Sequence, residues 1–222
     1  IRLGASSGEW KAMVADKAAR TTFAKNIKTV LEKNKLDGID LDFEWAENEK
    51  EYKDYSLAIL KMREVLGNKY LFSVSLHPVC YKISKEAIEA VDFISLQCYG
   101  PSPVRFPIEK YCSDIQMVLE YGIPKEKLVA GVPFYGVTKD NSKKTEAYFN
   151  FVQDGLITSP AQNEVVYQGD TYVFDGQDNI RIKTRYAKEQ KLKGMMSWDL
   201  ATDLPLSDSR SLLKTMTEEL RE

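Results

Sequence analysis

Polar and apolar positions along this chain switch repeatedly between a period of two and a period near that of a helix. From Ile39 to Glu44 the alternation is strict: Ile39, Leu41 and Phe43 are apolar, while Asp40, Asp42 and Glu44 are acidic. Successive side chains of a strand point to opposite faces, so this stretch predicts a strand with one apolar and one acidic face. Between Asp16 and Asn34, by contrast, Phe23, Ile27, Val30 and Leu31 recur on one face of a predicted helix. Ahead of that helix, Ile1–Ala5 reads as a short strand running into a Ser6-Ser7-Gly8 turn.

After the acidic strand the two periods keep exchanging. Helix Lys50–Leu66 precedes strand Tyr70–His77, helix Lys85–Ala90 precedes strand Val91–Tyr99, and helix Ile108–Tyr121 precedes strand Leu128–Phe134. A helix over Lys143–Gln153 follows, then a hairpin over Glu164–Phe174 turning at Gly169-Asp170, with a second turn at Asp175-Gly176. Helix Arg181–Lys191, strand Gly194–Trp198 and helix Ser207–Leu220 complete the series. Strands that alternate with helices in this way imply parallel β/α units, of which six are countable. Both a (β/α)8 barrel and a doubly wound open sheet fit such a pattern.

Composition narrows the field without choosing a chemistry. The 222 residues, 43% hydrophobic and 11% aromatic, suffice for a sizeable core. A net charge of −2 gives no footprint for nucleic acid or an anionic membrane, and no apolar run reaches the roughly 18 residues of a membrane span. The three cysteines, Cys80, Cys98 and Cys112, form neither a disulfide framework nor a zinc pattern. Cys98 alternates away from Gln97 and Tyr99 and reads as a buried small hydrophobe.

The chemistry concentrates in Leu36–Trp45, where Asp37, Asp40, Asp42 and Glu44 crowd together. Asp40, Asp42 and Glu44 share one strand face at about 7 Å between alternate residues. Asp37, of opposite parity, sits at the strand start and closes the helix-to-strand turn with Gly38. Three carboxylates on one strand repel one another, which suits a row that shares a proton and splits its pKa values. A solvated face would interleave Lys or Thr, and a calcium loop would be rich in Gly and Asn, so no metal and no cofactor are expected.

The motif D-G-x-D-x-D-x-E over Asp37–Glu44, followed by aromatic Trp45, resembles the signature of glycoside hydrolase family 18, the chitinases and their relatives. Three later stretches agree. Val91–Gly100 is similar to the family's sixth strand, closing on Tyr99, with Gly100 where an Asp is usual. Leu128–Gly136 resembles the seventh, with its G-x-P-x-Y-G ending at Tyr135-Gly136, and Gly194–Asp199 resembles the eighth, with terminal Trp198. The resemblance makes the acidic strand the fourth of a (β/α)8 TIM barrel. The chain, residues 1–222, then reads as a single catalytic barrel lacking its first two β/α units. The room between Phe134 and Met195 is too small for the large α+β insertion domain of many members.

What the resemblance implies for chemistry is specific. Glu44 is the expected general acid, Asp42 holds the acetamido N–H and stabilises positive charge, and Asp40 shares a proton with Asp42. Tyr99 aims the acetamido oxygen, Trp198 stacks beneath the sugar, and Gln97, Tyr135, His77 and Trp45 are expected substrate contacts. His77 shares the parity of Ser73 and Ser75. The implied activity is retaining hydrolysis of β-1,4-linked N-acetylglucosamine, in chitin or chito-oligosaccharides, with the substrate's acetamido group as nucleophile and an oxazolinium intermediate. An N-acetylglucosamine-containing glycan is the expected partner, and a secreted, periplasmic or cell-surface location follows from the family. An endo-β-N-acetylglucosaminidase acting on N-glycans and a chitin-binding, lectin-like barrel are the alternatives.

Overall fold

The computed structural model describes residues 1–6, 8–99, 106–140 and 144–221. The described elements are, in chain order, β1 (Arg2–Ala5), α1 (Glu9–Ala15), α2 (Lys17–Asn34), β2 (Gly38–Phe43), α3 (Glu49–Leu66), β3 (Leu71–Leu76), α4 (Lys85–Ala90) and β4 (Phe93–Leu96). They continue with α5 (Ile108–Tyr121), β5 (Leu128–Pro133), β6 (Tyr135–Thr138), β7 (Thr145–Ala147), α6 (Tyr148–Gln153), β8 (Glu164–Tyr167) and β9 (Asp170–Val173). Helix α7 (Gln177–Glu189), β10 (Gly194–Trp198) and α8 (Leu212–Arg221) follow. The chain divides into two compact units, Ile1–Leu96 with Val118–Leu128, and Gln97–Met117 with Val129–Glu222.

In the first unit β1, β2, β3 and β4 lie side by side in that order, all parallel. Strand β1 pairs with the acidic strand as expected, with Arg2 opposite Asp40 and Gly4 opposite Asp42. The apolar face of β2 is buried: Ile39, Leu41 and Phe43 are 4% exposed or less. Phe43 stacks on Trp10 of α1 at 5.1 Å and meets Tyr55 of α3 at 5.5 Å. Asp16 separates α1 from α2. Its extended backbone ends the first helix, and its carboxylate accepts from Ala19 N at 2.6 Å to cap the second. The period alone merged this region into a loop and one helix, so α1 is an addition to the expected elements.

Gly38 also changes its part. It does not close a turn; it opens β2, where a side chain would put its Cβ 2.1 Å from the Leu71 carbonyl oxygen. The glycine is what lets β2 and β3 approach.

In the second unit β5 and β10 pair in parallel, with Pro133 opposite Trp198. The segment between them builds a small antiparallel sheet in the order β7-β6-β9-β8. The hairpin falls as expected, although its turn is centred on Gln168-Gly169, whose φ values of 49° and 86° match the type I′ geometry of two-residue hairpins. The helix expected over Lys143–Gln153 is corrected: Thr145–Ala147 pairs with β6, and the helix begins only at Tyr148. Phe151 of α6 then packs on Tyr167, Tyr172 and Phe174 at 5.4–5.6 Å, which buries the sheet's inner face.

Helix α7 starts at Gln177, four residues ahead of the expected Arg181. The Lys183 ammonium meets the Asp175 carboxylate at 2.6 Å, and both side chains are at most 1% exposed. Helix α8 starts at Leu212 and not at Ser207. The Asp203 carboxylate accepts from Ser211 Oγ at 2.9 Å, Leu212 N at 3.0 Å and Leu213 N at 2.8 Å, fixing the start there. No helix among the described residues is long and apolar enough to cross a membrane.

Candidate active site

The acidic row sits where the pattern placed it, but its members meet unlike surroundings. Asp40, in mid-strand and half-buried, accepts from Ser73 Oγ at 2.6 Å and Ser75 Oγ at 2.9 Å, one hydroxyl on each carboxylate oxygen. Both serines come from β3, where Ser73 lies directly opposite Asp40. Burial pushes the Asp40 carboxyl above its ordinary value, and the two serine donors and the positive charge of Arg2 oppose it without cancelling it. Asp42 is 1% exposed and forms an ion pair with the Arg2 guanidinium.

Glu44 follows the last residue of β2 and is half-buried. Its N–H donates to the Ala5 carbonyl at 2.9 Å, which carries the β1–β2 ladder one step further. Its carbonyl accepts from Trp10 Nε1 at 3.3 Å. The Glu44–Trp45 peptide bond is cis. Trp45 leans on His77, with ring centroids 5.2 Å apart, and His77 Nδ1 accepts from Val79 N at 3.2 Å. His77 is 1% exposed, so the structure brings it to Trp45 as a buried partner.

The candidates of the second unit gather around Tyr99. Strand β4 ends at Leu96, so Gln97, Cys98 and Tyr99 continue beyond it, all three nearly buried. Burial pushes the Cys98 thiol up to about 12, which makes it inert as a nucleophile, as its parity implied. Tyr99 packs edge-on against half-buried Tyr135 at 6.4 Å, and its hydroxyl lies 3.8 Å from Met196 Sδ on β10. Trp198, at the end of β10, is 38% exposed. Its carbonyl accepts from Phe134 N at 2.8 Å, and the Trp198–Asp199 peptide bond is also cis. Gly100, where the resemblance leads one to expect Asp, lies outside the described residues.

Residues 3–203 match the family described as glycosyl hydrolases family 18. The chain belongs to that family. Among relatives of this family 18 chain, a probable chitinase 2 of Drosophila melanogaster is 23% identical over 89% of this chain and 54% of that protein. The chain thus spans about half the length of that relative. The crystal structure of the family 18 chitinase ChiB of Flavobacterium johnsoniae matches 99% of this chain and 73% of its own, with 25% identity and a TM-score of 0.82. A chitinase from Bacteroides thetaiotaomicron is similar in fold over 99% of this chain and 75% of its own, at 22% identity and a TM-score of 0.86. The fold is therefore α/β, of the (β/α)8-barrel type.

Motif reasoning missed three residues of the first unit's candidate site. Arg2 was read only as part of a strand, and Ser73 and Ser75 only as markers of parity for His77. The signal was available in principle: three acids on one strand face call for donors on the flanking strands, and those positions hold Arg2, Ser73 and Ser75.

Proposed function

We propose that this family 18 protein is a retaining glycosidase that hydrolyses β-1,4-linked N-acetylglucosamine in chitin or its oligomers, with the substrate's own acetamido group as nucleophile. The observation that carries this reading is the division of labour along one strand: a carboxyl biased towards its protonated form at Asp40, an arginine-paired carboxylate at Asp42, and a half-buried acid at the strand end at Glu44. Glu44 protonates the glycosidic oxygen. The acetamido carbonyl oxygen then attacks the anomeric carbon, the leaving-group bond breaks, and an oxazolinium ion forms. Asp42 accepts the acetamido N–H and stabilises the positive charge, and water returning through Glu44 as base opens the ring. Asp40, raised by burial, is the member of the row that shares its proton with Asp42.

Tyr99 binding the acetamido oxygen and Trp198 stacking on the sugar are parts of the same proposal. They rest on the family pattern of their motifs, and for Trp198 also on the exposure of its ring. Gln97 and Tyr135 are assigned to substrate on the same ground. Trp45 and His77 support the reading as an aromatic pair next to the acid. A polymer that cannot cross a membrane fits a secreted, periplasmic or cell-surface enzyme.

The test compares reducing-end release from chitin oligomers with cleavage of a high-mannose glycopeptide by the full-length protein. Release from the oligomers alone is the expected result. Cleavage of the glycopeptide alone would move the assignment to an N-glycan endoglycosidase, and binding without any cleavage would make the protein a lectin.

A further inference from the structure

Arg2 stands outside the acidic motif, yet it makes the contact that distinguishes Asp42 from its neighbours. In register it lies opposite Asp40, and Gly4 lies opposite Asp42. The guanidinium therefore leans along β1 to reach Asp42, and it passes over Gly4. A Cβ at Gly4 would stand 3.3 Å from both Nη1 and Nη2, tighter than ordinary packing. The missing side chain is the seat of the arginine. Asp42 is fixed and 1% exposed, while the Arg2 side chain keeps 41% of its surface in water. A cation held against a buried carboxylate favours the ionised form.

We propose that Arg2, seated over Gly4, is a positioning residue for the hydrolysis, one that holds the Asp42 carboxylate in place and in its ionised form. This rests on the hydrolase reading above. Charged groups near Asp42 include Arg2 from β1 and, on its own strand face, Asp40 and Glu44. Strand β3 presents the uncharged Ser73 and Ser75. Arg2 is a cation in direct contact with Asp42. Burial raises the Asp40 carboxyl, while the adjacent guanidinium favours the charged form of Asp42, so the surroundings push the two neighbours in opposite directions. Asp42 then meets the nascent oxazolinium as an anion, with no proton to be moved out of the way first.

Carboxyl-carbon NMR titration of the full-length protein, labelled at its aspartate side chains and assigned with Asp40→Asn and Asp42→Asn, reads the effect without needing turnover. Removing an adjacent cation raises a carboxyl pKa, so Arg2→Gln should move the Asp42 midpoint up by about 1–3 pH units, and Arg2→Lys should restore much of it. The acid limb of kcat/KM should move up in step. Gly4→Ala keeps the arginine but crowds its seat, and should move the midpoint in the same direction by less. An unchanged Asp42 midpoint in folded Arg2→Gln overturns the proposal; if that variant does not fold, an unchanged midpoint in Gly4→Ala does. Absence of chitin-oligomer cleavage by the wild type would overturn the hydrolase reading instead, and the Asp42 midpoint would still decide what Arg2 does.

Discussion

Alternate residues of one strand differ here chiefly in what the neighbouring strands offer them. Asp40 receives two serine hydroxyls from β3, Asp42 an arginine from β1, and Glu44 stands at the strand end. The order of acids was legible in the sequence because it is local. The donors were not, since Arg2 lies 40 residues from Asp42 and Ser73 lies 33 from Asp40. Glu44→Gln preserves shape and removes the proton, so turnover on unactivated chitin oligomers should fall roughly 10²–10⁴-fold. The unfolding transition should stay where it was. Near-normal turnover in that variant would remove Glu44 from the chemistry. Asp40 makes a second prediction through its burial. Its folded carboxyl lies above the ordinary value of 3.8, so the folded state binds that proton more tightly than the unfolded chain does. The stability this contributes is complete below 3.8 and is lost as the pH rises through the raised folded value. The difference in unfolding free energy between wild type and Asp40→Asn should therefore fall from acid to neutral pH. A difference that climbs with pH, as for a carboxylate held by a salt bridge, would show that the donors outweigh burial.

Among elements, those with long, strongly periodic signals were legible and the short, non-local ones were not. Helices α3, α4 and α5 and strands β5 and β10 lie within a residue of their expected bounds, because amphipathic or apolar runs define them without outside help. Helix α1 was missed because it is seven residues long and abuts the next helix through Asp16 alone. Strands β6 and β7 were missed for a different reason. They are four and three residues long, and the pairing of Val137 with Val173 joins positions that no local pattern connects. Gly38 is the sharpest case, a residue that reads as a turn but serves as a contact between strands. Gly38→Ala would drive a Cβ to 2.1 Å from the Leu71 carbonyl and force β2 and β3 apart. Overpacking of this kind costs about 1–3 kcal/mol, measurable as a lower urea midpoint, and the displaced strand carries Asp40 and Asp42 with it. Gly194→Ala is the control, because a Cβ there meets nothing within 4 Å and the stability should hardly move. Equal effects of the two substitutions would mean that the close approach at Gly38 does not matter.

For the molecule as a whole, fold class was legible from the alternation of helix and strand, and family from motifs placed at successive strand ends. Neither says by itself which reaction follows, since one barrel type hosts many chemistries. What separates the proposed reaction from ordinary retaining hydrolysis is the nucleophile. A protein carboxylate as nucleophile would need to stand about 5–5.5 Å from the acid, across the scissile bond. In the first unit Asp42 is tied to Arg2 and Asp40 to two serines, so each is held by its own strand neighbours. That arrangement suits the proposed reaction, in which the attacking oxygen is the substrate's. Hydrolysis should require a 2-acetamido group on the sugar at the scissile bond, and a thiazoline analogue of the oxazolinium should inhibit competitively. Glucose oligomers of the same linkage have no internal nucleophile and should be left intact under conditions that consume chitin oligomers. With a net charge of −2 and a neutral substrate, these outcomes should also change little with ionic strength. Comparable cleavage of the glucose oligomers would place the nucleophile on the protein, and Asp42 would then have to leave Arg2 to act.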